Sequence, residues 1–77
     1  MDLVIPDHAR EQMELRGVTE QEVIAVLENP ALDQPNKEGK RRWEAWGRVS
    51  DGWLRVVYRK QGKRTALITV TTSSRGP

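Results

Sequence analysis

The spacing of apolar residues in this chain changes about halfway along from a helical to a strand-like pattern. The helical pattern covers residues 6–16 and 19–29, and the strand-like pattern covers residues 41–49, 53–60 and 64–72. Apolar residues three or four apart predict helices, whereas strict alternation predicts strands. We therefore expect an α+β fold of order ααβββ, in which two short N-terminal helices pack on one face of a three-stranded antiparallel sheet.

Capping and turn residues separate these elements. Gly17 follows the first helical segment, where a helix end favours a residue that tolerates positive φ. Thr19 and Glu22 have the spacing of a capping box and therefore predict the start of the second helix. Pro30 predicts its end, since the residue before proline is disfavoured in the α conformation. Residues 31–40 are rich in turn formers and predict a loop.

The composition excludes several classes of site. The chain has 77 residues and no cysteine, so we expect one small domain over residues 1–77, without disulfides, thiolate catalysis or zinc–thiolate ligation. The acidic residues do not recur at a metal-ligand spacing, so no metal or other cofactor is expected. No apolar run reaches the roughly 18 residues of a membrane span, so we expect a cytoplasmic protein without a membrane partner.

Charge is distributed unevenly, although the net charge is only +2. Residues 1–35 carry eight acids and two bases, whereas residues 36–77 carry three acids and eleven bases. Basic residues concentrated in the strands favour a polyanionic partner, most often a nucleic acid. The alternative is a solvated surface on which the two halves balance each other in space.

The dipeptide Asp51-Gly52 predicts a tight hairpin between the first two predicted strands. A two-residue turn at that position places Val49 opposite Leu54 and Glu44 opposite Arg59, and it also places Arg48 directly opposite Arg55. Like charges in directly opposite positions are destabilising, unless an anion lies between them. Guanidinium groups bind phosphates through paired hydrogen bonds, so the Arg48–Arg55 pair predicts a phosphate site.

The same register predicts which residues lie on the open face, by which we mean the sheet face that the helices do not cover. On the third strand we expect Ala66, Ile68 and Val70 in the core. The predicted open face then carries Arg42, Glu44, Trp46, Arg48, Trp53, Arg55, Arg59, Thr69 and Thr71. Arginines interleaved with tryptophans are suited to single-stranded nucleic acid. Alternatively, the tryptophans cover a thin sheet and the threonines reflect strand propensity.

His8 is the only side chain of this chain that ordinarily titrates near neutral pH, so it is a candidate general acid or base. The alternative is a histidine that packs at the junction of helix and sheet. Without a metal site or a nucleophile motif, the chemistry left open is metal-independent cleavage of RNA. In that reaction the ribose 2′-hydroxyl attacks, and the protein moves protons and stabilises charge on the phosphate.

A set of short motifs resembles the DUF4258 family of small bacterial proteins over about residues 5–72. The motifs are His8-Ala9-Arg10, Met13, Arg16-Gly17-Val18-Thr19, Glu22-Val23, Leu27-Glu28-Asn29-Pro30, Gly47, Leu54-Arg55-Val56-Val57 and Ile68-Thr69-Val70. The resemblance implies a fold like that of the barnase–EndoU–colicin–RelE-like nucleases, with a more distant likeness to BrnT-type ribonuclease toxins. It implies metal-independent RNA cleavage and an antitoxin partner. It places the family's motif residues at His8, Arg16 and Thr69, without a complete catalytic set.

The leading hypothesis is therefore an RNA endonuclease of toxin type that acts from the open face. The candidate catalytic residues are His8, Glu44, Arg48, Arg55 and Thr69. The candidate RNA-binding residues are Arg16, Arg42, Trp46, Trp53, Arg59 and Thr71. One alternative is a non-catalytic RNA-binding or regulatory module, and another is a protein-interaction domain that docks an acidic partner or a second copy as a homodimer. The expected partners are thus RNA, an antitoxin or a second copy of the chain.

Overall fold

A computed structural model describes residues 1–38 and 41–77 of the chain. The elements are β1 (Asp2–Val4), α1 (Asp7–Arg16), α2 (Glu20–Glu28), β2 (Leu32–Pro35), β3 (Arg42–Val49), β4 (Gly52–Gln61) and β5 (Arg64–Ser73). They form a five-stranded sheet of order β1-β5-β4-β3-β2. Gly39 and Lys40, which belong to the predicted loop, lie outside the described residues.

The α+β composition with two helices agrees with the sequence, but the predicted three-stranded antiparallel sheet is wrong. The sheet has five strands and is mixed, because β1 pairs parallel with β5 and the other neighbours pair antiparallel. The helices are also not N-terminal, because β1 precedes them; α1 packs against β5, and α2 packs against β3 and β4. β2 lies within the predicted loop, and its Pro35 is acceptable because edge strands tolerate proline.

Both predicted helix boundaries around residue 18 are confirmed. Gly17 has a φ of 66°, and its N–H donates to the Glu14 carbonyl while the Val18 N–H donates to the Met13 carbonyl at 2.8 Å. The capping box is complete: the Glu22 N–H donates to the Thr19 hydroxyl, and the Thr19 N–H donates to the Glu22 carboxylate at 2.9 Å. These caps satisfy backbone groups that a helix end leaves unpaired.

The hydrophobic core lies between the helices and one face of the sheet. The helices contribute Ala9, Met13, Val23 and Val26, and the sheet contributes Ala45, Leu54, Val56, Tyr58, Leu67 and Val70. Gly47 lies directly beneath α2, where a Cβ would be only 2.8 Å from Cγ2 of Val26. A glycine at this position therefore allows β3 and α2 to approach closely.

The turn between β3 and β4 lies at Ser50-Asp51, so that Val49 pairs with Gly52 and the predicted register is wrong by two residues. Gly52 has a φ of 145°, and a Cβ there would be 2.5 Å from the Ser73 carbonyl oxygen. Position 52 is thus restricted to glycine by its contact with β5. A shift of two preserves alternation, so the residues predicted for each face of these two strands stay on that face.

On β5, the predicted core set is correct only at Val70. The turn before it is a tight two-residue turn with Gln61 opposite Arg64, and a bulge then interrupts the pairing between Val57 and Tyr58. Because the bulge leaves Ile68 without a partner, Leu67 pairs with Tyr58 and is buried in the core. The sequence did not predict this bulge, because a bulge in the middle of a strand is not marked by a turn residue.

Candidate functional site

The open face combines positive charge with two indole rings. Its directly opposite pairs on β3 and β4 are Arg42–Arg59, Glu44–Val57, Trp46–Arg55 and Arg48–Trp53. β5 adds Thr69 opposite Val57 and Thr71 opposite Arg55. The structure therefore brings together nine of the predicted site residues on one face: Arg42, Glu44, Trp46, Arg48, Trp53, Arg55, Arg59, Thr69 and Thr71.

Glu44 is the centre of a hydrogen-bonded cluster on this face, and its residue is only 8% exposed. Its Oε1 accepts a hydrogen bond from Asn36 Nδ2 at 3.0 Å. Its Oε2 accepts from Trp46 Nε1 at 2.7 Å and from Arg55 Nε at 3.3 Å. The carboxylate thus holds one arginine and one tryptophan of the open face in fixed positions.

The same contacts keep Glu44 ionised. Burial raises the pKa of its carboxyl, but the hydrogen bonds from Trp46, Arg55 and Asn36, together with the charge of Arg55, outweigh burial and lower the pKa below its ordinary 4.5. Because both oxygens already accept hydrogen bonds, Glu44 is better placed to orient Arg55 than to take a proton from a bound molecule.

Asn36 is the member of this cluster that sequence analysis missed. It is buried, its N–H donates to the Arg42 carbonyl at 2.8 Å, and its Oδ1 accepts from the Glu38 N–H at 3.0 Å. The second contact is an Asx turn, a common use of asparagine in loops. The sequence offered that turn signal, but not the contact with Glu44.

Arg48 and Arg55 do not lie directly opposite each other, so the predicted pairing of these two arginines is wrong. The observed register places Trp53 opposite Arg48, and the Arg48 guanidinium lies 5.2 Å from the centre of the Trp53 ring. Arg55 pairs with Glu44, so the predicted Glu44–Arg59 pair is also replaced. The shift of two residues accounts for both changes.

The opposed arginine pair exists, but it is Arg42 with Arg59. The Nε of Arg59 is buried and has no hydrogen-bond partner. Within residues 1–38 and 41–77, the structure records no ion pair for Arg42, Arg48 or Arg59. This end of the open face therefore holds two directly opposed arginines for which no ion pair is found among the described residues.

Two predicted site residues, His8 and Arg16, lie on α1 and not on the open face. His8 is exposed, so it does not pack at the junction of helix and sheet. Since α1 packs on the opposite side of the sheet from Glu44, His8 and Glu44 do not share a site. Arg16, by contrast, reaches a cleft of 310 Å³ at the β3–β4 turn, which Trp53 also lines.

Two other kinds of feature are absent from the part of the chain that the structure describes. No group of three or more histidine, cysteine, aspartate or glutamate side chains is arranged to hold a metal ion among these residues. Neither helix found there is long and apolar enough to cross a membrane. The candidate site thus consists of cationic, aromatic and hydroxyl groups around one buried carboxylate.

Comparison with curated proteins and with solved structures gave no match. A family described as a domain of unknown function, DUF4258, matches residues 5–72. That range includes both helices and nearly all of the open face. The chain therefore belongs to the DUF4258 family.

Proposed function

We propose that this domain binds single-stranded RNA on the open face, with a backbone phosphate held between Arg42 and Arg59. The observation that supports the proposal is the direct opposition of these two arginines, neither of which forms an ion pair within the described residues. Like charges in directly opposite cross-strand positions destabilise a sheet. A phosphate that accepts hydrogen bonds from both guanidinium groups removes this repulsion, and such charge-assisted bonds are roughly twice as strong as neutral ones.

The two tryptophans of the open face support RNA in preference to another polyanion. Trp46 is fixed by its hydrogen bond to Glu44, and Trp53 lies beneath the Arg48 guanidinium. Stacking of a base on an aromatic side chain contributes roughly 1–3 kcal/mol and tolerates any base sequence. Cations for the phosphates and rings for the bases thus occupy neighbouring positions on one surface.

Binding is measured by fluorescence anisotropy with a short labelled single-stranded RNA over a range of salt concentrations. Each phosphate neutralised on a single strand contributes about −0.7 to the slope of log K against log salt concentration. Arg59→Gln and Arg42→Gln should each weaken binding and make the slope shallower by about 0.7. The matched control is Arg10→Gln, the same charge change on the exposed surface of α1, which should leave the slope unchanged. Equal slopes in all four proteins contradict the proposal.

Cleavage of the bound RNA, as in an endonuclease of toxin type, is the second candidate, and the Glu44–Arg55 pair is the observation that favours it. Metal-independent cleavage needs a base for the 2′-hydroxyl and a cation for the phosphate. Glu44 and Arg55 supply these groups 3.3 Å apart, beside Thr71 on the next strand. Use of Glu44 as the base requires the RNA to displace one of its present hydrogen-bond donors.

The test for cleavage is incubation of the purified protein with RNA in the presence of EDTA. Cleavage by the wild type that is lost in Arg55→Lys supports an enzyme, because lysine keeps the charge beside Glu44 but lacks the planar guanidinium. RNA that is bound and left intact supports a binding module. Growth arrest on induced expression, with wild type beside Arg55→Lys, tests the toxin activity and the need for an antitoxin that it would bring.

The third hypothesis, a docking surface for a protein or a second copy, lacks one feature that would favour it. An exposed apolar patch around Trp46, Val57 and Leu67 would favour such docking. Val57 is only 4% exposed and Leu67 only 1%, so these three residues do not form that patch.

A further inference from the structure

We infer that the cleft at the β3–β4 turn binds a single nucleotide, with its base against Trp53 and its phosphate at Arg16. The inference rests on the proposed function for the class of ligand, because it extends the RNA path from the open face around the end of the sheet. It assigns a role to Arg16, which lies in the helical layer and not on the open face.

The cleft lies where the two layers of the fold meet. The end of α1 and the link to α2 form one side, the turn at Ser50-Asp51 forms another, and the end of β5 closes it. Its volume of 310 Å³ falls within the range of roughly 300–1,000 Å³ that small-molecule sites occupy. The volume is thus in the range of a small-molecule ligand.

The groups around the cleft match the different parts of a nucleotide. Trp53 offers the part of its aromatic ring that Arg48 and Gly76 leave open, and Ser50 and Ser73 offer hydroxyl groups. Asp51 and Glu22 are the acidic residues of the lining, and a carboxylate can accept hydrogen bonds from a base amino group. Arg16 is exposed, and in the described chain the structure records no ion pair for it. Because acidic groups also line the cleft, a bare phosphate fits less well than a ligand that carries both a base and a phosphate.

Trp53 connects this cleft to the open face. It lies on the open face opposite Arg48, and it also lines the cleft with Arg16. Trp53 therefore places the cleft next to Arg48, so a strand of RNA bound at Arg48 would lie close to the cleft. The nucleotide in the cleft would be the one that leaves the stack at this end of the bound strand.

The experiment is a titration of the isotope-labelled protein with adenosine monophosphate, followed by amide and indole NMR signals. The three tryptophan indole signals are assigned with Trp43→Phe, Trp46→Phe and Trp53→Phe. We expect the Trp53 indole and the amides of residues 17, 50–52 and 73 to shift, while the Trp43 indole stays unchanged. Arg16→Gln should weaken binding about tenfold, as for one lost charged hydrogen bond, whereas Arg10→Gln on the same helix should not.

Several results would overturn the inference. They are an absence of shifts in the cleft, equal affinities for Arg16→Gln and Arg10→Gln, or equal affinity for inorganic phosphate alone, which would indicate a plain anion site. The labelled RNA keeps this test separate from the proposed function. RNA binding that depends on Arg59 but not on Arg16 would contradict the nucleotide site in the cleft and support RNA binding on the open face. Nucleotide binding in the cleft without RNA binding would support the nucleotide site and contradict the proposed function.

Discussion

Replacement of Glu44 with glutamine tests whether the buried carboxylate organises the open face. Glutamine has nearly the same shape, but it lacks the charge and replaces one acceptor oxygen with an NH2 donor. In the wild type all three neighbours of the carboxylate are donors, from Asn36, Trp46 and Arg55. Glu44→Gln must therefore direct a donor at a donor on one side and leave Arg55 without its counter-charge.

The expected loss of stability follows from these contacts. Hydrogen bonds to a charged group contribute roughly 1.5–3 kcal/mol and neutral ones roughly 0.5–1.5 kcal/mol. Conversion of two charged bonds to neutral ones and loss of the third predicts a decrease of about 3.5 kcal/mol or more in the free energy of unfolding. For a domain of this size, that decrease lowers Tm by roughly 15–25 °C.

The assay is urea unfolding of Glu44→Gln beside Glu14→Gln, an equal chemical change on the exposed surface of α1. The difference in free energy of unfolding between wild type and Glu44→Gln should depend on pH. Because the folded-state pKa of Glu44 is lowered, its stabilising effect is complete above its ordinary value of 4.5 and is lost as the pH falls through the folded-state value. The gap between wild type and Glu44→Gln should therefore narrow in acid.

Two outcomes would refute this reasoning. One is a loss in Glu44→Gln no larger than that in Glu14→Gln, which would mean that the three hydrogen bonds contribute no net stability. The other is a difference in free energy of unfolding between wild type and Glu44→Gln that stays constant between neutral and acid pH. That result would mean that the variant loses stability through its changed shape and not through its lost charge.

Two further substitutions test the helix side of the sheet. Tyr58 donates its hydroxyl to both oxygens of Asp33, at 2.8 and 3.0 Å, so Tyr58→Phe should cost about 1 kcal/mol and speed amide exchange in β2 more than in β5. Burial and the Asp33 carboxylate raise the pKa of Tyr58, the only tyrosine, so its absorbance should titrate above the usual 10.0. The stability that this shift contributes should be complete below 10.0 and should be lost as the pH rises through the higher folded-state pKa. Gly47→Ala should cost about 1–3 kcal/mol in urea unfolding because the added Cβ would press on Val26, and an unchanged midpoint would contradict the close approach.

The faces of β3 and β4 could be predicted from the sequence because alternation survives any register error of two residues. Trp46, Arg48, Trp53 and Arg55 therefore lie on the predicted face. Which residues oppose each other could not be predicted, because the turn position depends on a contact of Gly52 with β5, a strand that the local sequence does not include.

The two edge strands were missed for a different reason. β1 has three residues and β2 has four, too few for a periodic pattern to appear. β2 also contains Asp33 and Pro35, which are typical of loops, and it becomes a strand only because β3 offers a partner. The Glu44 cluster depends on this strand, since Asn36 follows it directly.

The parallel pairing of β1 with β5 has a consequence for how the chain folds during synthesis. Asp2 lies beside Arg64, so among the described strands β1 pairs only with β5, which follows it about 60 residues later in the chain. On the ribosome, α1, α2 and the β2–β4 ladder can assemble first, whereas β1 cannot pair before β5 has been synthesised. Contacts between residues so distant in sequence form slowly. We expect the completion of the sheet edge to limit the folding rate, and deletion of β1 to leave the edge of β5 open to other strands.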